Sequence, residues 1–105
     1  MKTILLTGCA LGLLLSAQAH ATEAPLEGTL SKIASAKSIT LGYRDASVPF
    51  SYVGDNSGKP MGYSVDLANR IVERIQQKTA VGDLKVKYNL VTSQTRIPLV
   101  QNGTV

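Results

Sequence analysis

The chain has 105 residues, of which 44% are apolar and 17% charged, with a formal charge of +4. That balance is ordinary for a globular protein and does not indicate disorder, and the length leaves room for at most one small domain. The eleven basic residues are scattered with no run of like charge, which argues against a nucleic-acid stripe.

The first residues read as a targeting segment and not as fold. Met1-Lys2 is a positive start, Ile4 to Leu15 is an apolar run, and Ser16 to Ala21 supplies small residues, the three-part pattern of a secretory signal peptide. Residues 1–21 are therefore assigned to the leader, with cleavage expected after Ala19 or after Ala21. The apolar run falls short of the roughly 20 residues a membrane span needs. Leu6-Thr7-Gly8-Cys9 has the look of a lipobox, but it lies close to Met1 and the apolar core continues beyond it. Cys9 is read as an ordinary small residue of that core, with lipid attachment as the alternative. Cys9 is the only cysteine and leaves with the leader, and the only histidine, His20, sits at the cleavage region. A disulfide staple, a thiolate or imidazole metal site and a Ser-His-Asp triad are thereby excluded for the remainder. Loss of Lys2 leaves ten basic against seven acidic residues, a net +3.

Residues 22–27 read as a short linker kept out of helix by Pro25. Leu26, Leu30 and Ile33 then recur at helical spacing, predicting a short helix capped near Gly28 or Thr29. Ser38 to Tyr43 alternates and predicts a strand. Ser47 to Val53 is expected to be extended, at an edge or off any ladder because of Pro49. Gly54 to Pro60 is dense in turn formers and predicts an exposed loop tip.

A helix follows, with Ser64 or Asp66 expected to cap its start. Its stripe of Leu67, Ala68, Ile71, Val72 and Ile75 is read as core, and its pattern breaks at Gly82. Leu84 to Leu90 alternates as a second strand with Lys85 and Lys87 on the wetter face. Ile97 to Gln101 predicts a short helix ended by Asn102-Gly103, and Thr104-Val105 opens a further strand. Residues 28–105 thus read as the front part of a larger α/β unit.

Strand, helix, strand of these lengths implies a parallel crossover, and such units place ligands at the carboxyl ends of their strands. Two loops leave those ends. The first carries Arg44, whose guanidinium is charged at any ordinary pH and presents a rigid fork of donors. The second carries Thr92, Ser93, Thr95 and Arg96, with hydroxyls and the free N–H groups of a helix start. Arg44, Ser93 and Arg96 are expected at one edge, forming an anion site. The bland alternative leaves Arg44 as a solvated residue paired with Asp45.

Three stretches carry a resemblance: Arg44-Asp-Ala-Ser-Val-Pro-Phe-Ser-Tyr52, Gly62-Tyr-Ser-Val-Asp-Leu67 and Thr92-Ser-Gln-Thr-Arg-Ile-Pro-Leu-Val-Gln-Asn-Gly-Thr104. Together they resemble periplasmic amino-acid-binding proteins of ABC importers, bacterial solute-binding protein family 3, and most closely the members for glutamate and aspartate. The likeness runs from about Gly28 to Val105. It implies the first part of lobe 1 of a two-lobed periplasmic-binding-protein fold. Arg44, Ser93 and Arg96 are then implied to bind the acidic side chain, with Phe50 and Tyr52 in the segment against the ligand. Ser64 stands where many relatives carry aspartate. The resemblance also implies a periplasmic, monomeric protein that hands glutamate or aspartate to an inner-membrane ABC permease. It implies no enzyme activity, cofactor or metal. The alternatives are a ligand-sensing domain of a membrane receptor and a same-fold enzyme such as a dehydratase.

Overall fold

The computed structural model describes residues 24–105. The expected leader with Cys9, His20 and both cleavage positions, and the start of the 22–27 linker, lie outside the described residues. In chain order the elements are α1 (Gly28–Ala36), β1 (Ser38–Tyr43), β2 (Ala46–Ser47), β3 (Ser51–Tyr52), α2 (Tyr63–Thr79), β4 (Lys85–Leu90) and α3 (Arg96–Gln101).

β1 and β4 pair in parallel, from Ser38 opposite Lys85 to Tyr43 opposite Leu90. Alternating Ile39 and Leu41 meet Val86 and Tyr88 across the ladder. A parallel pair needs a long crossover, and α2 supplies it. α2 packs on β1 and β3, and α1 lies against α2 and β1. The core is thin: Ile33 from α1, Val65 and Val72 from α2, and Val91 just past β4 are its buried apolar side chains among the described residues. α1 ends where Lys37 turns into the left-handed region at φ 52°.

Three expectations are corrected here. The segment from Ser47 to Val53 is not simply extended but turns back on itself as a β2–β3 hairpin, with Ala46 opposite Tyr52 and Ser47 opposite Ser51. The chain reverses through Val48-Pro49-Phe50, closed by the Phe50 N–H donating to the Ser47 carbonyl at 2.8 Å. The Val48–Pro49 peptide is cis. Proline lacks an N–H, so the turn loses no ladder bond by containing it.

The start of α2 is the second correction. Neither Ser64 nor Asp66 caps it with a side chain, and both lie inside its first turn after Gly62. Instead Tyr63 N–H donates to the Pro49 carbonyl at 3.0 Å and Ser64 N–H to the Phe50 carbonyl at 2.8 Å. Two of the orphan donors of the helix start are thus satisfied by the hairpin turn, which docks the turn onto the helix. Asp66 remains in the first turn, where its charge suits the helix dipole.

The third correction concerns the buried face of α2. Val65, Val72 and Thr79 form its buried line, with Ala68 and Ile75 half-buried. Leu67 and Ile71 are 44% and 61% exposed. A layer of two paired strands covers only a narrow strip of a helix, so the outer part of the apolar stripe finds no cover among the described residues. The helix ends at Ala80, left-handed at φ 54°, two residues before the glycine expected to break it.

The 54–59 segment is exposed, as expected. Within it the Ser57 N–H and hydroxyl both bond the Asp55 carboxylate and hold it below the usual carboxylate range. α3 has no buried residue of its own. It is tied down by Val105 N–H to the Leu99 carbonyl at 3.2 Å and by Lys32 Nζ to the Gly103 carbonyl at 3.0 Å.

Two glycines with positive φ separate strain from crowding. Gly62 has φ 120°, and a Cβ there would stand 2.5 Å from the Phe50 carbonyl oxygen. Gly58 has φ 68° with open space around it. Urea unfolding is expected to show Gly62→Ala destabilised by about 3 kcal/mol or more, because clash and strain also pull the hairpin off two helix N–H groups. Gly58→Ala is expected to cost only about 1 kcal/mol. Equal losses would show that the contact between turn and helix contributes nothing.

Candidate anion-binding site

The register of the parallel pair builds this site. Tyr43 and Leu90 are the last paired residues, and the Val91 N–H donates to the Tyr43 carbonyl at 2.9 Å. The two chains therefore leave the sheet side by side, Arg44 from one and the 91–96 loop from the other. Arg44 Nη1 donates to Ser93 Oγ at 2.8 Å, across 49 positions of sequence. The side chain bridges the two loops, and the bland pairing with Asp45 is not what engages it.

Between the loops lies a cleft of about 350 Å³. Arg44 and Arg96 both line it, together with Ser47, Phe50, Ser51, Tyr88 and Val91. Among the described residues, no carboxylate lines it. Two guanidinium groups thus line one hollow with no carboxylate beside them among the described residues, next to the apolar side chains of Leu41, Val65 and Val91. A guanidinium offers five donors, and the Ser93 bond uses only one of those on Arg44. Such a surface is suited to an anion, and best to a planar carboxylate that accepts two parallel bonds.

The second loop is braced from within. Thr92 N–H donates to Thr95 Oγ1 at 2.9 Å, and Thr95 N–H returns the bond to Thr92 Oγ1 at 3.1 Å. Arg96 N–H then donates to the Thr92 carbonyl at 3.1 Å and opens α3, so Arg96 is its first residue. The hydroxyls of Thr92 and Thr95 are spent on this turn, whereas Ser93 faces Arg44.

Of the five residues singled out in the sequence, the structure brings four together. Arg44, Arg96 and Phe50 line the cleft, and Ser93 is bonded to Arg44. Phe50 is 55% exposed at the rim and is not core. Tyr52 stands apart: it belongs to β3, bridges to Met61, and packs its ring by Gly54 outside the cleft lining. Ser51 and Tyr88 were missed. Tyr88 reads only as one more alternating strand residue, although its hydroxyl bonds Asn69 Oδ1 at 3.1 Å and its ring meets Tyr43 edge-on at 6.4 Å. No spacing marks Ser51, because its role depends on the hairpin that folds it back onto Arg44. Among the described residues no group of three or more His, Cys, Asp or Glu could hold a metal ion, and no helix is long and apolar enough to cross a membrane.

Residues 39–105 match the family model of the bacterial extracellular solute-binding proteins, family 3. The chain is 57% identical over 96% of its length to the L-glutamate/L-aspartate-binding protein of Pseudomonas aeruginosa, covering 33% of that protein. It is 53% identical over 82% of its length to the glutamate/aspartate import solute-binding protein of Salmonella typhimurium, covering 29% of it. The chain therefore spans about a third of the length of the curated relatives it matches. Among solved structures it is similar to a single-residue mutant of the arginine-bound form of domain 1 from TmArgBP. That match has a TM-score of 0.58 and 25% identity, over 72% of this chain and 53% of that one. The mixed α/β arrangement is thus part of the periplasmic solute-binding fold. With sequence, topology and the strand-end cleft in agreement, the chain belongs to the bacterial extracellular solute-binding proteins, family 3.

Proposed function

We propose that this chain is the front part of lobe 1 of a solute-binding protein that captures glutamate or aspartate for an ABC permease in the inner membrane. Residues 28–105 belong to that lobe, and residues 1–21 act as a cleaved leader that delivers the protein to the periplasm. One observation carries the choice of ligand: Arg44 and Arg96, from adjacent strand-end loops, line a cleft with no carboxylate among the described residues that line it. A neutral amino acid leaves at least one of these charges unsatisfied. An acidic side chain matches them.

The relatives support the same choice, since both curated proteins named above are glutamate/aspartate binders by their names. The arginine-bound domain of TmArgBP shares the fold with a ligand of the opposite side-chain charge. Ligand charge is therefore set by the side chains lining the cleft and not by the strand-helix-strand frame. Arg44, Ser93 and Arg96 are assigned to the acidic side chain and Phe50 to its apolar stem. Tyr52, outside the cleft lining, is assigned to packing at the base of its own hairpin, by Gly54 and Met61. The family and the curated relatives named above are solute-binding proteins, and the reading is transport, not catalysis.

Charge-assisted hydrogen bonds contribute about 1.5–3 kcal/mol each when shielded from water, and less where a side chain is as exposed as Arg96 is here. In the full-length protein Arg96→Ala is expected to weaken glutamate binding by roughly 30-fold or more while changing glutamine binding by less than about threefold. Calorimetric titration with both ligands checks this, and equal losses would remove Arg96 from the selection of charge.

A pH prediction follows from the same charges. The guanidinium groups stay protonated, so glutamate affinity is expected to hold steady from about pH 6 to 9. It is expected to fall as the ligand's side-chain carboxylate takes up a proton near pH 4. Titrations in matched buffers would show a loss beginning near neutrality if some other group set the charge.

A further inference from the structure

We propose that Ser51 is a positioning residue for ligand capture: it fixes the root of Arg44 while Ser93 fixes its tip, so that the guanidinium meets an acidic side chain already in place. The inference rests on the acidic-ligand reading above and deepens it.

Ser51 is buried, 8% exposed. Its Oγ accepts from the Arg44 N–H at 2.8 Å and donates to the Arg44 carbonyl at 2.9 Å. A hydroxyl carries one donor and two acceptor sites, so a single side chain satisfies both backbone polar groups of one residue. Those two groups lie just where the chain leaves β1, beyond its last ladder pair at Tyr43. The backbone of Arg44 is therefore held by a side chain seven positions on. The hairpin holds that side chain in turn, through the Ser47–Ser51 pairing and the Val53 N–H bond to the Asp45 carbonyl at 3.0 Å.

The other end of Arg44 is held as well, by the 2.8 Å bond from Nη1 to Ser93. An arginine loses substantial rotamer freedom when it is ordered, and a site that orders it in advance does not spend ligand affinity on it. Alanine at position 51 leaves the N–H and carbonyl of Arg44 without their partner in a part-buried place. The backbone then relaxes, and the displacement is magnified along a long side chain. Only interactions made through Arg44 are affected. A purely structural serine would instead lower stability and weaken every ligand alike.

Four variants of the full-length protein test this by calorimetric titration with glutamate and with glutamine, its neutral counterpart. Ser51→Ala is expected to lose about tenfold in glutamate affinity with less than about twofold change for glutamine. Ser51→Thr, which keeps the hydroxyl, is expected to stay near the parent. Arg44→Ala is expected to lose more than Ser51→Ala, and Ser51→Ala added to Arg44→Ala is expected to cost nothing further, since its effect runs through the missing side chain. If Ser51→Ala does not fold, Ser51→Cys, with a weaker donor and acceptor, takes its place with the same expectations in smaller measure. A Ser51→Ala loss that is equal for both ligands, or that persists in the Arg44→Ala background, overturns the positioning role. A large loss in Arg44→Ala with none in Ser51→Ala overturns it too and leaves the acidic-ligand reading standing. No loss in Arg44→Ala overturns that reading itself.

Discussion

Parallel pairing of β1 with β4 is the constraint on which the site depends. A parallel ladder delivers both strands to the same edge, and its register decides which residues leave that edge together. With Tyr43 opposite Leu90, Arg44 emerges next to the 91–96 loop, and a single hydrogen bond from Arg44 to Ser93 spans the gap. A slip of one residue would turn every side chain of one strand to the other face and part the two loops' functional groups. The hydrophobic pattern that sets the register is therefore also what assembles the charge.

A second layer of order comes from hydroxyl groups. Ser51 satisfies the backbone of Arg44, and Thr92 and Thr95 satisfy each other's backbone N–H groups across the turn that holds Ser93 and begins α3 at Arg96. Each is a short-range bond at a place where regular pairing has ended. Such loops would otherwise carry unpaired main-chain groups beside a cleft, at a cost of about 1–3 kcal/mol for each group shielded from water. The parallel crossover explains why a cleft lies at this edge. The side chains explain what charge it suits.

The core that supports this edge is slight. Ile33, Val65, Val72 and Val91 are buried, but Leu67 and Ile71 point out of α2 and α3 buries nothing. The hairpin is attached by two backbone bonds to the start of α2, and Gly62 is the point at which the two approach too closely for a side chain.

Much of this was legible in the residues. Alternation at Ser38 to Tyr43 and Leu84 to Leu90, and helical spacing from Leu67 to Ile75, sufficed for the strands, the main helix and the crossover between them. Local periodicity reflects which face of an element is apolar, and that is written in the sequence. The meeting of Arg44 and Arg96 at one cleft, with Ser93 bonded to Arg44, follows from the crossover, because parallel strands share an end. Three things were not legible. The hairpin within Ser47 to Val53 has strands of two residues each, too short for any period to register. The exposure of Leu67 and Ile71 depends on how wide a layer lies beneath the helix, which no helix states about itself. The clamp of Ser51 on Arg44, and the absence of Tyr52 from the cleft lining, exist only once the turn at Pro49 has folded one segment against another. The sequence by itself determined which residues carry charge and which elements bear them. Tertiary structure decided which backbone groups were left without ladder partners, and so which hydroxyl was needed to hold the arginine still.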